Sequence, residues 1–226
     1  MIHLARWQDA PWPEQVDCII TDPPYSERTH KGQPGERFSR DIAYTHLTPE
    51  DVRQWAAAWA PRVRYWLAVM CDHALIPVWE SSMRDAGLYA FAPVPCVIPG
   101  MTVRIAGDGP SSWAVYLMVG RTKAAAKWGA LPGAYQSTRG ETKGARIGGK
   151  PLPLMQQIVR DYSRPGMLVA DPCAGHATTL VAAKGAGRQV WGCESDAAAH
   201  RAGLERLTLT PAPSLSFDVA EQTELL

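Results

Sequence analysis

The ten residues from position 16 to position 25 combine residue types that can bind an amine. Five of the first six are apolar or β-branched, which predicts a buried strand. Pro23 and Pro24 end it, because proline has no amide hydrogen to continue a ladder. Asp22 can accept hydrogen bonds from an amino group, the carbonyls before the prolines project in fixed directions, and Tyr25 can lie flat against a planar ring. The stretch predicts a socket for a flat, amine-bearing heterocycle such as a nucleobase; a turn that only closes a buried strand is the alternative.

A second motif of this kind lies nearer the C-terminus. Residues 167–170 predict another buried strand, which ends at Asp171 and is followed by a turn of small residues, 173–177, and a helix from Thr178. The strand after that helix ends at Glu194. This is the order of a nucleotide-binding unit, in which backbone amides approach the ligand and the last acid binds ribose hydroxyls. The turn lacks a full G-x-G-x-x-G, which disfavours NAD, and Asp171 suits a cationic amino group better than a pyrophosphate.

The elements that position these motifs are also indicated by local signals. Thr48 and Pro49 are typical of a helix start, and a stripe of apolar residues at helical spacing follows them: Val52, Trp55, Ala56 and Trp59. Residues 26–41 are polar and contain glycine, which predicts a loop beside the first motif that either closes over the site or is a plain surface loop. The other predicted elements are strands within 2–7, 64–71, 93–104 and 111–119, the last two antiparallel, and helices over 76–86, 154–162 and 196–207.

Composition restricts the class of protein. The chain has 226 residues, of which 46% are apolar and 20% charged, as expected for one soluble α/β domain. No apolar run is long enough for a membrane span, and the N-terminus lacks the pattern of a signal peptide. The five cysteines are odd in number and widely spaced, so we expect reduced thiols, a cytoplasmic protein and no metal site.

Charge is unevenly distributed along the chain. The net charge is only +1, yet residues 121–150 contain seven bases and a single acid, interleaved with Trp128 and Tyr135. Such a segment suits a phosphate backbone, although a solvated loop without a partner has the same composition. We expect a catalytic domain over residues 1–207, with 121–150 as a small target-recognition region and 208–226 as a loosely ordered tail. The candidate nucleic-acid contacts are Arg121, Lys123, Lys127, Arg139, Lys143 and Arg146.

The two motifs together resemble those of the amino-group DNA methyltransferases, which use S-adenosylmethionine. Asp-Pro-Pro-Tyr at 22–25 matches the family's catalytic motif, and residues 171–179 match its cofactor motif. Their order is similar to that of the circularly permuted beta group, and Lys150-Pro151 resembles its motif X. The resemblance implies a Rossmann-like, circularly permuted α/β fold. Its sheet would have seven strands, mostly parallel, with helices on both faces and the 93–119 strands at an antiparallel edge.

The resemblance also implies residue roles. Asp22 and the Pro23 carbonyl would hold the exocyclic amine, and Tyr25 would stack on a flipped base; the catalytic set is Asp22, Pro23, Pro24 and Tyr25. Asp171 would bind the methionine amino group and Glu194 the ribose. The cofactor-binding set is Asp171, Pro172, Cys173, Ala174, Gly175, Thr178, Glu194, Lys150 and Pro151. The implied cofactor is S-adenosylmethionine and the implied partner is DNA; relatives often form homodimers, while neither a metal nor a membrane is expected.

An aromatic amine is a poor nucleophile because its lone pair is delocalised into the ring. Hydrogen bonds from its two N–H groups would favour a localised lone pair, so positioning and electrostatics would carry the catalysis. In this family Asp at position 22 favours adenine, so we expect N6-adenine methylation of DNA with short or relaxed site specificity. The alternatives are an N4-cytosine enzyme, a methyltransferase acting on RNA, protein or a small amine, and a catalytically silent nucleic-acid-binding relative.

The cofactor turn departs from the family pattern. Cys173, His176 and Ala177 replace its usual aromatic residue and Gly-x-Gly, and we expect the β-carbon of Ala177 to crowd a place usually kept bare. This departure motivates the silent alternative. The Gly-Asp that the group often has before the first motif is also missing.

Overall fold

A computed structural model describes residues 1–30, 45–101, 110–123, 128–137 and 149–211. Within them, the strands are β1 (Ile2–Leu4), β2 (Val16–Thr21), β3 (Val63–Cys71), β4 (Tyr89–Ala90), β5 (Val94–Val97), β6 (Ala114–Arg121), β7 (Tyr135–Gln136), β8 (Leu168–Asp171) and β9 (Gln189–Glu194). The helices are α1 (Glu27–His30), α2 (Pro49–Trp59), α3 (Ile76–Asp85), α4 (Leu152–Tyr162), α5 (Thr178–Gly185) and α6 (Ala197–Leu209), with a 3₁₀ turn at Ala60–Arg62. None of these helices is long and apolar enough to cross a membrane.

The strands form one mixed sheet in the order β1-β9-β8-β2-β3-β6-β5-β7, with β4 also paired to β6. Strands β1, β9, β8, β2 and β3 are mutually parallel, whereas β6 runs antiparallel to β3, β4 and β5. The predicted class, a mostly parallel α/β sheet with an antiparallel edge, is confirmed. In the described part of the chain the sheet has nine strands rather than seven because the two-residue strands β4 and β7 are added, and two residues are too few to show a periodicity.

Helices cover both faces of the sheet. Alternate residues of a strand point to opposite faces, and in β2 Ile19 belongs to one core cluster while Cys18 and Ile20 belong to another. The cluster on the Ile19 face includes side chains of α2 and α3, and the other includes side chains of α4 and α5. Burial on both faces explains why the central strands are almost entirely apolar.

Helix α2 begins where the sequence predicts. The Thr48 hydroxyl accepts a hydrogen bond from the Asp51 amide at 3.2 Å, and the Asp51 carboxylate accepts one from the Thr48 amide at 2.8 Å. This reciprocal capping box satisfies two amides that have no partner within the helix. The predicted apolar stripe is buried, as expected: Val52, Trp55, Ala56 and Trp59.

Parallel pairing places the carboxyl ends of five strands at one edge of the sheet: β1, β2, β3, β8 and β9. Thr21 of β2 pairs with Val69 of β3, and Asp171 of β8 pairs with Gly192 of β9. We call this side the carboxyl edge. In all of these strands except β1 an acid lies at or just after the strand end: Asp22, Asp72, Asp171 and Glu194.

The predicted loop at 26–41 and the predicted tail at 208–226 are each described only in part, and the described part of each includes helix. The loop predicted over 26–41 begins with the short helix α1, and residues 31–44 lie outside the described part of the chain. Helix α6 extends two residues into the predicted tail, of which residues 212–226 lie outside it as well.

Candidate active site

The two sequence motifs meet at the carboxyl edge through a buried hydrogen bond. The Thr21 hydroxyl, at the end of β2, donates to Asp171 Oδ1, at the end of β8, at 2.6 Å. Asp22 follows Thr21 directly, so its carboxylate and the turn after β8 belong to the same site. The pairing of β2 with β8 therefore brings together residues that are separated by about 150 positions in sequence.

Asp22 already binds an amine in the described structure. The Lys150 ammonium donates to Asp22 Oδ2 at 2.6 Å and lies 4.9 Å from the centre of the Tyr25 ring. The Tyr25 hydroxyl donates to Asp22 Oδ1 at 2.9 Å, which fixes the ring beside the carboxylate. Burial and the adjacent Asp22 charge raise the pKa of Tyr25 well above its ordinary value, so the phenol stays a proton donor. A carboxylate and an aromatic face thus hold a cationic nitrogen between them.

The two prolines that follow Asp22 are shielded from solvent to different degrees. Pro23 is buried and Pro24 is half-buried, so the backbone after Asp22 is enclosed. Pro151, predicted with Lys150 for the cofactor carboxylate, is buried and caps α4, where its carbonyl accepts the Met155 amide at 3.2 Å. The structure places the Lys150 ammonium in the Asp22 half of the site.

Asp171 is in a different environment from Asp22. It is 1% exposed, and its Oδ1 accepts the Cys173 amide at 3.1 Å in addition to the Thr21 hydroxyl. Burial raises its pKa to about 6, although the bonds from Thr21 and Cys173 partly oppose the shift. Because a nearby cation would lower this pKa again, the carboxylate is suited to a cationic amino group.

The turn after β8 is held by Glu194, at the end of β9. The Gly175 amide donates to Glu194 Oε2 at 2.8 Å, and the Asp196 amide at the start of α6 donates to Oε1 at 2.8 Å. Gly175 has a φ of +51°, which glycine adopts without strain. Pro172 and Ala174 are buried, while Cys173 and Thr178 are partly exposed. Glu194 therefore fixes the turn after β8 to the beginning of α6.

Ala177 is accommodated by a glycine on another helix. Ala177 has a φ of +61°, the one positive value of a non-glycine residue in the described ranges, and it is fully buried. A β-carbon on Gly203 of α6 would lie 3.1 Å from the Ala177 β-carbon and 3.0 Å from the Gly175 carbonyl oxygen. Arg206 of α6 donates to the His176 carbonyl at 2.5 Å and to the Thr178 hydroxyl at 3.2 Å. The Ala177 β-carbon therefore lies against α6 at a position where α6 has no side chain.

The candidate nucleic-acid residues that the structure describes lie far from Asp22. Arg121 pairs with Trp66 near the beginning of β3, whereas Tyr116 pairs with Cys71 at the carboxyl edge. Roughly five residues of strand separate the two pairs, a distance of about 17 Å. Lys123 follows Arg121 at the same distant edge. The remaining candidates lie outside the described residues: Lys127, Arg139, Lys143 and Arg146.

The aromatic residues of the basic segment are anchored to the main body. Trp128 Nε1 donates to the Asp161 carbonyl at 2.6 Å, and the Tyr135 hydroxyl donates to the Asp161 carboxylate at 2.7 Å. The Arg164 guanidinium stacks on Trp128, 4.1 Å from the ring centre. Trp128 also lies against the rings of Tyr65 and Trp66 of β3, and Tyr135 belongs to β7, which pairs with β5.

Three residues of the site were not predicted from the sequence. Gly203 and Arg206 support the turn from the next helix, and Asp72 bonds to the segment after Tyr25. The signal that could have identified Asp72 is its position, an acid directly after a buried strand, which it shares with Asp22. Among the described residues, no three His, Cys, Asp or Glu side chains are arranged to hold a metal ion.

Comparison with known protein sequences finds similarity to DNA methylases. Residues 112–205 match a family described as DNA methylase. A putative methylase of Escherichia coli (strain K12), YubD, is 40% identical over 58 residues, which is 26% of this chain and 26% of that protein. The match therefore spans about a quarter of this curated relative.

Solved structures match over most of the chain. The M1.HpyAVI complex with SAM has a TM-score of 0.67 at 22% identity, covering 86% of this chain and 90% of that one. A putative DNA modification methylase from Thermus thermophilus, TTHA0409, complexed with S-adenosyl-L-methionine, gives 0.68 at 19% identity and 94% coverage of both chains. The cytosine-N4-specific PvuII DNA methyltransferase gives 0.64 at 14% identity, covering 91% of this chain and 85% of that one.

The fold is that of the S-adenosylmethionine-dependent methyltransferases. The resemblance to the N6/N4 amino-group DNA methyltransferases that the two motifs predict is confirmed.

Proposed function

We propose that the protein is an S-adenosylmethionine-dependent DNA methyltransferase that acts on an exocyclic amine, the N6 of a flipped adenine. The observation that carries this proposal is the amine already bound at Asp22. The Lys150 ammonium makes one of the contacts that the target amine needs, the bond to the Asp22 carboxylate, and it lies over the Tyr25 ring against which the base would stack. It does so beside the turn after β8, to which the Thr21 hydroxyl joins the end of β2.

In the proposed reaction the target amine replaces the Lys150 ammonium at Asp22. One N–H of the amine donates to the Asp22 carboxylate and the other to the Pro23 carbonyl, while the base lies against Tyr25. These bonds favour a pyramidal nitrogen whose lone pair is directed at the methyl group. Because the Tyr25 hydroxyl is bonded to Asp22, the ring and the carboxylate keep a fixed relation to each other.

The residues of the second motif fit the proposed cofactor. When bound, S-adenosylmethionine supplies an electrophilic methyl group on a positively charged sulfur. The buried Asp171 carboxylate, whose pKa is raised to about 6, suits the cationic amino group. Glu194 and the Gly175 turn would hold the ribose side, with Thr178 and Lys150-Pro151 near the carboxylate. In this assignment Lys150 leaves Asp22 when the cofactor binds.

Adenine is proposed on the basis of Asp22, which favours adenine in the family that the chain resembles. The basic segment 121–150 is proposed to contact the DNA phosphates, which suits a short or relaxed recognition site. A fall in the salt dependence of DNA binding when Arg121 and Lys123 are replaced by Ala would support that role, with the log–log slope changing by about one per phosphate contact.

The test is methyl transfer from labelled S-adenosylmethionine to unmethylated DNA, followed by mass spectrometry of the digested nucleosides. Asp22→Asn serves as the inactive variant, and Glu50→Gln, which removes an exposed carboxylate of α2, serves as its matched control. N6-methyladenine that disappears only in Asp22→Asn supports the proposal. If N4-methylcytosine is the product, the target base is cytosine rather than adenine. If methyl groups are transferred to RNA or protein but not to DNA, the substrate is not DNA. No binding of S-adenosylmethionine by calorimetry would favour a silent nucleic-acid-binding protein.

A further inference from the structure

Asp72 lies directly after β3, beside the strand that carries the catalytic motif. Thr21 of β2 pairs with Val69 of β3, so the chain leaves both strands on the same side of the sheet. Asp72 is 6% exposed. A buried carboxylate needs hydrogen-bond donors to offset its loss of hydration, and the positions of those donors show which segments it holds.

The two oxygens of Asp72 hold two different segments. Oδ1 accepts the Leu75 amide at 3.2 Å, at the beginning of α3. Oδ2 accepts the Ser26 amide at 3.1 Å, and the hydroxyls of Ser26 and Thr29 donate to it as well. The donors to Oδ2 thus all come from the short segment that directly follows Tyr25.

We propose that Asp72 is a positioning residue that fixes Tyr25, and through Tyr25 the Asp22 carboxylate, in the amine-binding geometry. On its C-terminal side Tyr25 is followed by Ser26, which Asp72 holds by both amide and hydroxyl. The Tyr25 carbonyl accepts the Leu47 amide at 3.0 Å, so the motif is also tied to the residues that lead into α2.

Asp72 influences the Asp22 carboxylate through one further hydrogen bond. The Tyr25 hydroxyl donates to Asp22 Oδ1, so movement of the Tyr25 backbone moves both the aromatic face and one contact of the carboxylate. The bonds of Asp72 itself go to the Ser26 segment and to α3, so it acts on the amine through Tyr25. Its role in transfer rests on the proposed function, whereas its role in holding Ser26 does not.

The separation of the two oxygens allows a sharp test in the full chain. The double variant Ser26→Ala, Thr29→Val removes the two hydroxyl donors to Oδ2 and leaves the Leu75 bond at α3 intact. The variant Asp72→Asn alters the bonds of both carboxylate oxygens. We expect the double variant to lower kcat about ten- to hundredfold while the affinity for S-adenosylmethionine changes by less than about twofold. Adding Asp72→Asn to it should cause much less loss of kcat than Asp72→Asn causes in the wild type, because the partners act as one unit.

Amide hydrogen exchange read by NMR provides a measurement that does not depend on activity. In Asp72→Asn, exchange at the Ser26 and Leu47 amides should accelerate about tenfold or more, while the Gly175 amide, which is bonded to Glu194, keeps its rate. Equal acceleration at all three amides, no acceleration at Ser26, or additive losses of kcat would overturn the inference. If the wild-type protein methylates no DNA, the proposed function fails, and the exchange rates alone still decide whether Asp72 positions Tyr25.

Discussion

The two carboxylates at the centre of the site differ in what surrounds them. Asp22 is 21% exposed at its side chain and is paired with the Lys150 ammonium at 2.6 Å. Asp171 is 1% exposed, and its bonds from Thr21 and Cys173 come from neutral donors. An acid paired with a cation can exchange one amine for another, whereas a buried acid with neutral donors becomes more stable as a carboxylate when a cation arrives. The comparison supports the proposed roles, in which Asp22 binds the target amine and Asp171 binds the cofactor's amino group.

The largest expected effect comes from Asp22→Asn. The amide keeps the size of the side chain but provides a weaker acceptor, and its NH₂ group opposes the N–H groups of the target amine. We expect methyl transfer to fall by about a thousandfold or more, measured as kcat with saturating DNA and cofactor. Retained transfer in this variant would separate Asp22 from the chemistry.

Asp171→Asn tests the other half of the comparison. The variant removes the charge that the cationic amino group would meet, so we expect the Kd for S-adenosylmethionine to rise about ten- to hundredfold. Isothermal titration calorimetry measures this directly. An unchanged Kd would mean that the cofactor's amino group binds elsewhere.

The raised pKa of Asp171 also predicts a pH dependence of stability. Below the ordinary pKa of 3.8, Asp171 is protonated in both the folded and the unfolded chain, so its burial does not lower the free energy of unfolding through ionisation. Between pH 3.8 and about 6 the unfolded chain loses this proton first, and the free energy of unfolding decreases as pH rises. Above that range the cost is constant, on the order of 3 kcal/mol.

Thermal unfolding of the wild type and Asp171→Asn, each without cofactor, checks this dependence. The variant should gain stability over the wild type at about pH 8 and lose most of that advantage at about pH 4, because only the wild type carries the buried charge. A difference in Tm that is the same at both values would contradict it.

The smallest expected effect concerns the contact between α6 and the turn. Gly203→Ala places a methyl group against Ala177 and the Gly175 carbonyl, and we expect a loss of about 1–3 kcal/mol in the free energy of unfolding, with weaker cofactor binding. Ala177→Gly in the same chain removes the contact with the Ala177 β-carbon and should restore part of both losses. Chemical denaturation of the two single variants and the double variant measures the coupling; additive effects would show that the two positions do not interact.

Local signals in the sequence predicted the long elements because each signal lies within its own element. The capping box at Thr48 and the apolar runs of the central strands need no information from elsewhere in the chain. Strands β4 and β7, in contrast, are defined by pairing with β6 and β5, which no two-residue pattern reveals.

The parts of the site that the sequence did not predict depend on pairings across the chain. Lys150 meets Asp22 across 128 positions, and Asp72 meets Ser26 across 46. Arg121 is far from Asp22 because β6 runs antiparallel to β3, and this direction cannot be deduced from the composition of the basic segment. The residue types indicated which chemistry to expect, whereas the strand order and direction determine which residues lie together in the site.

The proposed roles of Asp22 and Asp171 are tested most directly by isothermal titration calorimetry. S-adenosylmethionine is titrated into Asp22→Asn and into Asp171→Asn under identical conditions. We expect Asp22→Asn to bind the cofactor with a Kd within about threefold of the wild type, and Asp171→Asn to bind at least about tenfold more weakly. Equal weakening in both variants, or weakening in Asp22→Asn alone, would contradict the assignment of the amine to one carboxylate and the cofactor to the other.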